Sequence, residues 1–286
     1  FLREAVFGAL SLLPLPLLYA IFAAVAWCLR ILGWRRDLVT EKLGRCLPEL
    51  EPAERGAILC DFYAYLGELA AEVLHAWRIP RESLERRLRF ENPEVALQAL
   101  REGRRVMLLA AHHCNWEWLL QRGSTAFGTP LVGAYKPASW AHADRALGFL
   151  RTRFGAEMVP AARLVNVLLE RRGRVRLLAM IADQSPPAGS SQQAWLPFFG
   201  QPTAFFPGPG RIAARMGYEP FFVAVRREAR GQYAAQLVPL LGPGDPPEPG
   251  RILGAYVAAL EAHVRAHPAQ YLWAYNRWKR PRRLYD

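Results

Sequence analysis

An imidazole and a carboxylate stand where an apolar run stops. Val106-Met-Leu-Leu-Ala-Ala111 carries no polar side chain and is followed directly by His112-His-Cys-Asn-Trp-Glu117. The run predicts a buried strand, and open α/β sheets place their ligand sites at the carboxyl ends of such strands. His112 is therefore the candidate general base, and Glu117 a candidate to fix its tautomer. On one regular helix, positions five apart lie about 140° from each other, so this pair requires a strand-to-helix bend to meet. No Gly-x-Ser-x-Gly elbow accompanies them, and base-assisted attack by a substrate hydroxyl fits better than a covalent enzyme intermediate. His113 is expected to face away from His112 if the strand continues. A second apolar run, Val175 to Ala182, also ends in polar groups, Asp183-Gln-Ser185.

The elements that must position these groups follow from periodicity. Ile58, Phe62, Tyr65, Leu66, Leu69, Val73 and Trp77 recur at helical spacing within 51–77, ahead of Ile79-Pro80. Further helices are predicted over 93–102, 118–122, 144–154, 164–172, 211–216 and 251–266, four of them followed by the glycines at 103, 155, 173 and 217. Strands are predicted over 131–135, 158–159, 220–225 and 233–240, the last two as an antiparallel pair around Gly231. The Pro-, Gly- and aromatic-rich stretch 186–210 is too long for an idle connection and predicts a segment that binds something or covers a site. Trp195, Phe198, Phe199, Phe205 and Phe206 there are candidates to line an apolar groove or to dip into a membrane.

The chain of 286 residues can bury a sizeable core, and its formal charge of +12 implies an anionic partner: nucleic acid, anionic lipid or an acidic protein. Four scattered cysteines show no CxxC and suit a reducing compartment; no HExxH or zinc-type spacing appears, so neither a metal nor a cofactor is expected. Ala5 to Leu29 is 25 residues without charge, followed by Arg30, Arg35 and Arg36. That length exceeds the roughly 20 residues of a membrane-spanning helix and predicts an N-terminal anchor over 1–36, with 37–286 as the α/β catalytic domain facing the cytoplasm. An interfacial helix is the alternative for this segment.

Several of these blocks together resemble one family. His112-His-Cys-Asn-Trp-Glu117 resembles the H-x4-D/E signature of glycerolipid acyltransferases, in the form typical of lipid A biosynthesis (lauroyl/myristoyl) acyltransferases. In the same order, Tyr135-Lys-Pro137, Arg151-Thr-Arg-Phe-Gly155, Ala182-Asp-Gln-Ser185, Pro197-Phe-Phe-Gly200 with Gly208-Pro-Gly-Arg211, and Tyr271-Leu-Trp273 with Arg277-Trp-Lys279 resemble later blocks of that family. Cys114 stands where a glycine is usual, which makes the turn there less permissive of positive φ.

The resemblance implies a mixed, mostly parallel sheet flanked by helices, and acyl transfer from a thioester donor, acyl carrier protein or acyl-CoA, to a hydroxyl of a lipid A precursor at the bacterial inner membrane. His112 would be the base, with Glu117 or Asp183 as its orienter. Asn115, Tyr135, Lys136, Arg151, Gly208 and Arg211 would contact substrate, Arg151 at the developing oxyanion or a phosphate of the acceptor, and Gly208 to Arg211 at a phosphate. A lysophospholipid, ornithine lipid or phosphoinositide mannoside is the alternative acceptor. A non-catalytic basic lipid- or nucleic-acid-binding protein is the remote one; no nucleic-acid motif is present, so no nucleic-acid partner is expected.

Overall fold

The computed structural model describes residues 10–138, 141–171, 173–187 and 190–278, without the side chains of 141–143. Arg172, at the end of one predicted helix, and Lys279, in the last family-like block, lie outside the described residues, as do residues 1–9 of the predicted anchor.

Seven strands form one sheet in the order β1-β9-β8-β2-β5-β3-β4. They are β1 (Leu88–Phe90), β2 (Arg105–Ala110), β3 (Leu131–Tyr135), β4 (Glu157–Pro160), β5 (Leu177–Ile181), β8 (Tyr218–Ala229) and β9 (Gln232–Pro239), while β6 (Ala194–Phe198) and β7 (Gln201–Phe205) pair as a separate hairpin. All pairings in the large sheet are parallel except β8 with β9, the pair predicted around Gly231. The sheet is therefore mixed and mostly parallel.

The middle strand explains the layers. Met107, Leu109 and Ala111 enter one core with helices α2 (Arg36–Cys46), α8 (Leu164–Glu170), α9 (Gly208–Met216) and α10 (Pro249–Ala266). Val106, Leu108 and Ala110 enter the other, with α1 (Leu15–Ile31), α3 (Pro52–His75), α5 (Glu94–Arg101), α6 (Trp116–Ala126) and α7 (Ala141–Thr152). Side chains alternate across a strand, so a strand apolar at every position is one covered on both faces. The short α4 (Arg81–Arg87) leads into β1.

Two regions depart from the sequence reading. The 186–210 stretch contains the β6–β7 hairpin, with Phe199 at φ 53° and Gly200 at φ 66° in its turn; two successive positive φ values are the geometry of the tightest hairpin turns. At the N-terminus, α1 starts after Pro14 and spans 17 residues, and the chain then bends by 82° into α2. Among the described residues no single helix is long and apolar enough to cross a membrane. Instead α1 lies on α3: a Cβ on Gly67 would come within 2.6 Å of the Phe22 carbonyl oxygen, so only glycine permits this crossing. Leu15, Leu18 and Ala26 are buried in the contact, while Leu17, Ile21, Val25, Trp27, Ile31 and Leu32 remain exposed.

Candidate active site

The β2–β5 register brings the first two site residues together. These neighbours are parallel with Ala110 opposite Ile181, so His112 and Asp183, each two residues further on, leave the sheet side by side. His112 Nδ1 lies 2.7 Å from Asp183 Oδ1. With Nδ1 as the donor to the carboxylate, Nε2 is left as an acceptor, and the Gln184 amide approaches it at 3.4 Å. Asp183 is almost wholly covered, its side chain 3% exposed against 19% for His112. Burial pushes the Asp183 pKa up, but the charge and hydrogen bond of His112, with the charge of Arg277, outweigh it and hold the carboxyl below its ordinary value. Burial, with the charge of Asp183 beside it, pushes the Tyr271 hydroxyl pKa up.

The bend after His112 is clamped from the far end of the chain. Leu272 N donates to the His112 carbonyl at 3.1 Å and Cys114 N to that of Gln270 at 3.1 Å. Cys114 takes a φ of 55°, the left-handed conformation that a glycine would adopt more readily. His113 points the other way, as expected: it is buried, with Nδ1 3.2 Å from the Val225 carbonyl and Nε2 2.8 Å from that of His267.

Glu117 does not complete the pair. It sits in the first turn of α6, 4% exposed, and accepts Arg151 Nε at 2.9 Å and Nη2 at 2.5 Å. The expected reach of Glu117 back to His112 is thus replaced by a two-pronged ion pair, and Arg151 spends those two nitrogens on a carboxylate. Removing one member of a buried pair strands the other charge. Arg151→Ala is expected to lower stability by about 3 kcal/mol, read as a shift in the denaturant midpoint; a shift corresponding to under about 1 kcal/mol would show that the pair behaves as a solvated one.

His112, Glu117, Tyr135, Lys136 and Arg151 share a cavity of about 320 Å³ that runs between the sheet and α6. Its inner wall is apolar, with Leu108, Leu119, Leu131, Met158 and Val223 among the lining residues. Gly133 keeps this space open, since a Cβ there would lie 2.8 Å from Met158 Sδ. A second cavity of about 570 Å³ shares Lys136 and Gln184 with the first and is bounded by Trp195, Phe206 and Arg277.

The other predicted contacts fall elsewhere. Asn115 is fully buried beneath the bend, capping α6 by accepting Trp118 N at 2.9 Å, and lines neither cavity. Gly208 and Arg211 open α9 and line neither cavity, and Arg211 donates to Gln192 at 2.5 Å. The glycine next in that block serves packing: a Cβ on Gly210 would lie 2.3 Å from the Pro249 carbonyl oxygen at the start of α10. Of the aromatic candidates, Phe198, Phe199 and Phe205 are core residues. Gln184, Glu72 and Tyr271 carry no site role in the sequence reading; the strand-end position of Gln184 and the place of Tyr271 in a family-like block are the usable signals.

A histidine–carboxylate pair thus stands at the carboxyl edge of a mostly parallel α/β sheet and opens on a cavity with an apolar inner wall. The sequence model of the bacterial lipid A biosynthesis acyltransferases matches residues 1–280, and the chain belongs to that family; it is an acyltransferase. It is similar to the lipid A biosynthesis lauroyltransferase of Escherichia coli (strain K12), 23% identical over 275 residues that cover 93% of this chain and 87% of the other.

Proposed function

We propose that the protein transfers a fatty acyl chain from a thioester donor, acyl carrier protein in preference to acyl-CoA, to a hydroxyl of a lipid A precursor, with His112 as general base. The observation that carries this reading is the 2.7 Å contact of His112 Nδ1 with buried Asp183 at the mouth of the apolar cavity. The Nε2 atom removes the proton from the acceptor hydroxyl while its oxygen attacks the thioester carbonyl. The tetrahedral intermediate collapses with cleavage of the C–S bond, and the departing thiolate takes the proton from the imidazolium, leaving the histidine neutral. Asp183 keeps Nδ1 protonated and stabilises the imidazolium as it forms. The acyl chain occupies the space kept open by Gly133, and Tyr135 and Lys136 stand at its rim. The second cavity, with Lys136 in its wall, receives the polar part of a substrate.

The same reading places the protein at the cytoplasmic face of the bacterial inner membrane. The outward apolar residues of α1 follow at i, i+4 spacing (Leu17, Ile21, Val25 and Trp27, Ile31) with Arg30 and Arg36 exposed beside them, the pattern of a helix lying in a headgroup layer. A net charge of +12 favours anionic lipid, phosphorylated acceptor and acidic carrier protein alike. Mass spectrometry of lipid A from cells lacking and carrying the gene tests the acceptor: one added acyl chain on the carrying strain is the expected result. An unchanged lipid A with an added chain on a phospholipid or ornithine lipid would overturn it.

A further inference from the structure

Beneath the catalytic bend lies a carboxylate that the chemistry above leaves unused. Glu72, on α3, is 0% exposed. Asn115 Nδ2 and Tyr233 OH each donate to its Oε2 at 2.8 Å, and Tyr19 OH, from α1, donates to Oε1 at 2.8 Å. Its backbone carbonyl accepts Trp118 Nε1 at 3.1 Å. Burial raises the Glu72 pKa, against the pull of the Asn115, Tyr233 and Tyr19 hydrogen bonds. A buried acid ringed by neutral donors is a poor source of stability, and its position invites another explanation.

That explanation runs through Asn115. The side-chain amide is fixed at both ends, Nδ2 to Glu72 and Oδ1 to Trp118 N, so it cannot turn over. Asn115 also follows directly on Cys114, whose φ of 55° is a conformation an unconstrained non-glycine residue tends to leave. What holds Asn115 therefore holds the turn joining His112 to the first turn of α6, which carries Glu117.

We propose that Glu72 is a positioning residue: by accepting from Asn115 it locks the catalytic turn and ties it to α3, β9 and, through Tyr19, to the outward-facing α1. Its structural test needs no substrate; only the kinetic arm rests on the proposed function.

Hydrogen exchange followed by mass spectrometry on the full chain compares wild type with Glu72→Ala, Glu72→Gln and Asn115→Ala. Amides of 114–119 are expected to exchange about tenfold faster in Glu72→Ala, the scale of a lost helix cap, with β2 and α10 unchanged. Glu72→Gln, which keeps an acceptor for Asn115, is expected to stay within about threefold of wild type at those amides. Unchanged exchange at the turn, or equal acceleration throughout the sheet, overturns the proposal. Should Glu72→Ala not be recovered folded, a further variant, Asn115→Ser, which keeps a hydroxyl to cap α6 but loses the amide donor to Glu72, reports the same link from its other end: acceleration confined to 114–119 supports it, and none there overturns it. In turnover, each alanine variant is expected to lower kcat about tenfold at unchanged KM, and the double variant to be no slower than the worse single, because both act through one contact. Full additivity, about a hundredfold, would overturn it.

Discussion

On the proposed mechanism, Asp183→Asn is expected to lower kcat by roughly 10³–10⁴-fold while both KM values stay within about threefold, the cost of offering the His112 imidazole an amide in place of its carboxylate. The amide is nearly isosteric, so the cavity keeps its shape. What changes is the partner of Nδ1, now 2.7 Å from a carboxylate oxygen that can only accept. An amide can present its NH₂ instead, which places the imidazole proton on Nε2, where the substrate hydroxyl must be deprotonated. The transition state also loses the charge opposite the imidazolium. Glu117→Gln is the internal comparison: because Glu117 faces Arg151 and not His112, its effect on kcat should be smaller by at least about tenfold. Steady-state kinetics of the two variants decide the matter; if Glu117→Gln is as damaging as Asp183→Asn, the carboxylates have been assigned to the wrong partners.

Acid is expected to weaken the fold well before the carboxylates titrate. His113, His263 and His267 pack edge to face behind the turn that follows His112, with His113 and His263 ring centroids 4.6 Å apart. Burial, assisted by the neighbouring His263 charge, pushes His113 down to about 3, and burial pushes His263 down to about 4. Below the ordinary histidine value of about 6.5 the unfolded chain binds these protons and the folded chain does not, so stability is present above that value and falls as pH falls towards 4. Each such histidine contributes about 1.4 kcal/mol per pH unit, so the pair costs about 3 kcal/mol per unit between pH 6 and 4.5. The raised pKa of Glu72 works in the opposite sense above its ordinary value near 4.5. Comparison with His263→Gln isolates the histidine part. Urea midpoints across this range should show a shallower pH slope in that variant, by about half; equal slopes would place the acid sensitivity elsewhere.

How much of this was legible in sequence depended on range. The β2 and β5 runs announced themselves because strands covered on both faces are apolar at every position. The antiparallel pair around Gly231 was visible as two alternating runs joined by a turn. The β6–β7 hairpin was not, because Pro197 and Pro202 argue against a strand interior, and they are tolerated here in a two-stranded ribbon that is all edge. The site divided in the same way. His112 and Glu117 follow from spacing, and Asp183 stood beside Glu117 as a candidate orienter, but which carboxylate meets His112 and that Arg151 meets Glu117, across 71 and 34 residues, depend on which strands and helices become neighbours. The Gly208 to Arg211 block was legible as a glycine-rich helix start, although its tight glycine meets the start of α10. At the N-terminus hydropathy counted apolar residues without revealing where they point: some cover α3 and the rest face outward, on a helix of 17 residues that bends by 82° into α2.

The most direct test is acyl transfer by purified enzyme from carrier-protein thioesters of graded chain length to a defined lipid A precursor, with folded His112→Ala alongside. The expected result is transfer of one chain by wild type and a loss of at least about 10³-fold in His112→Ala, at unchanged stability and substrate binding. Normal turnover by a folded His112→Ala would contradict the assignment of His112 as the base.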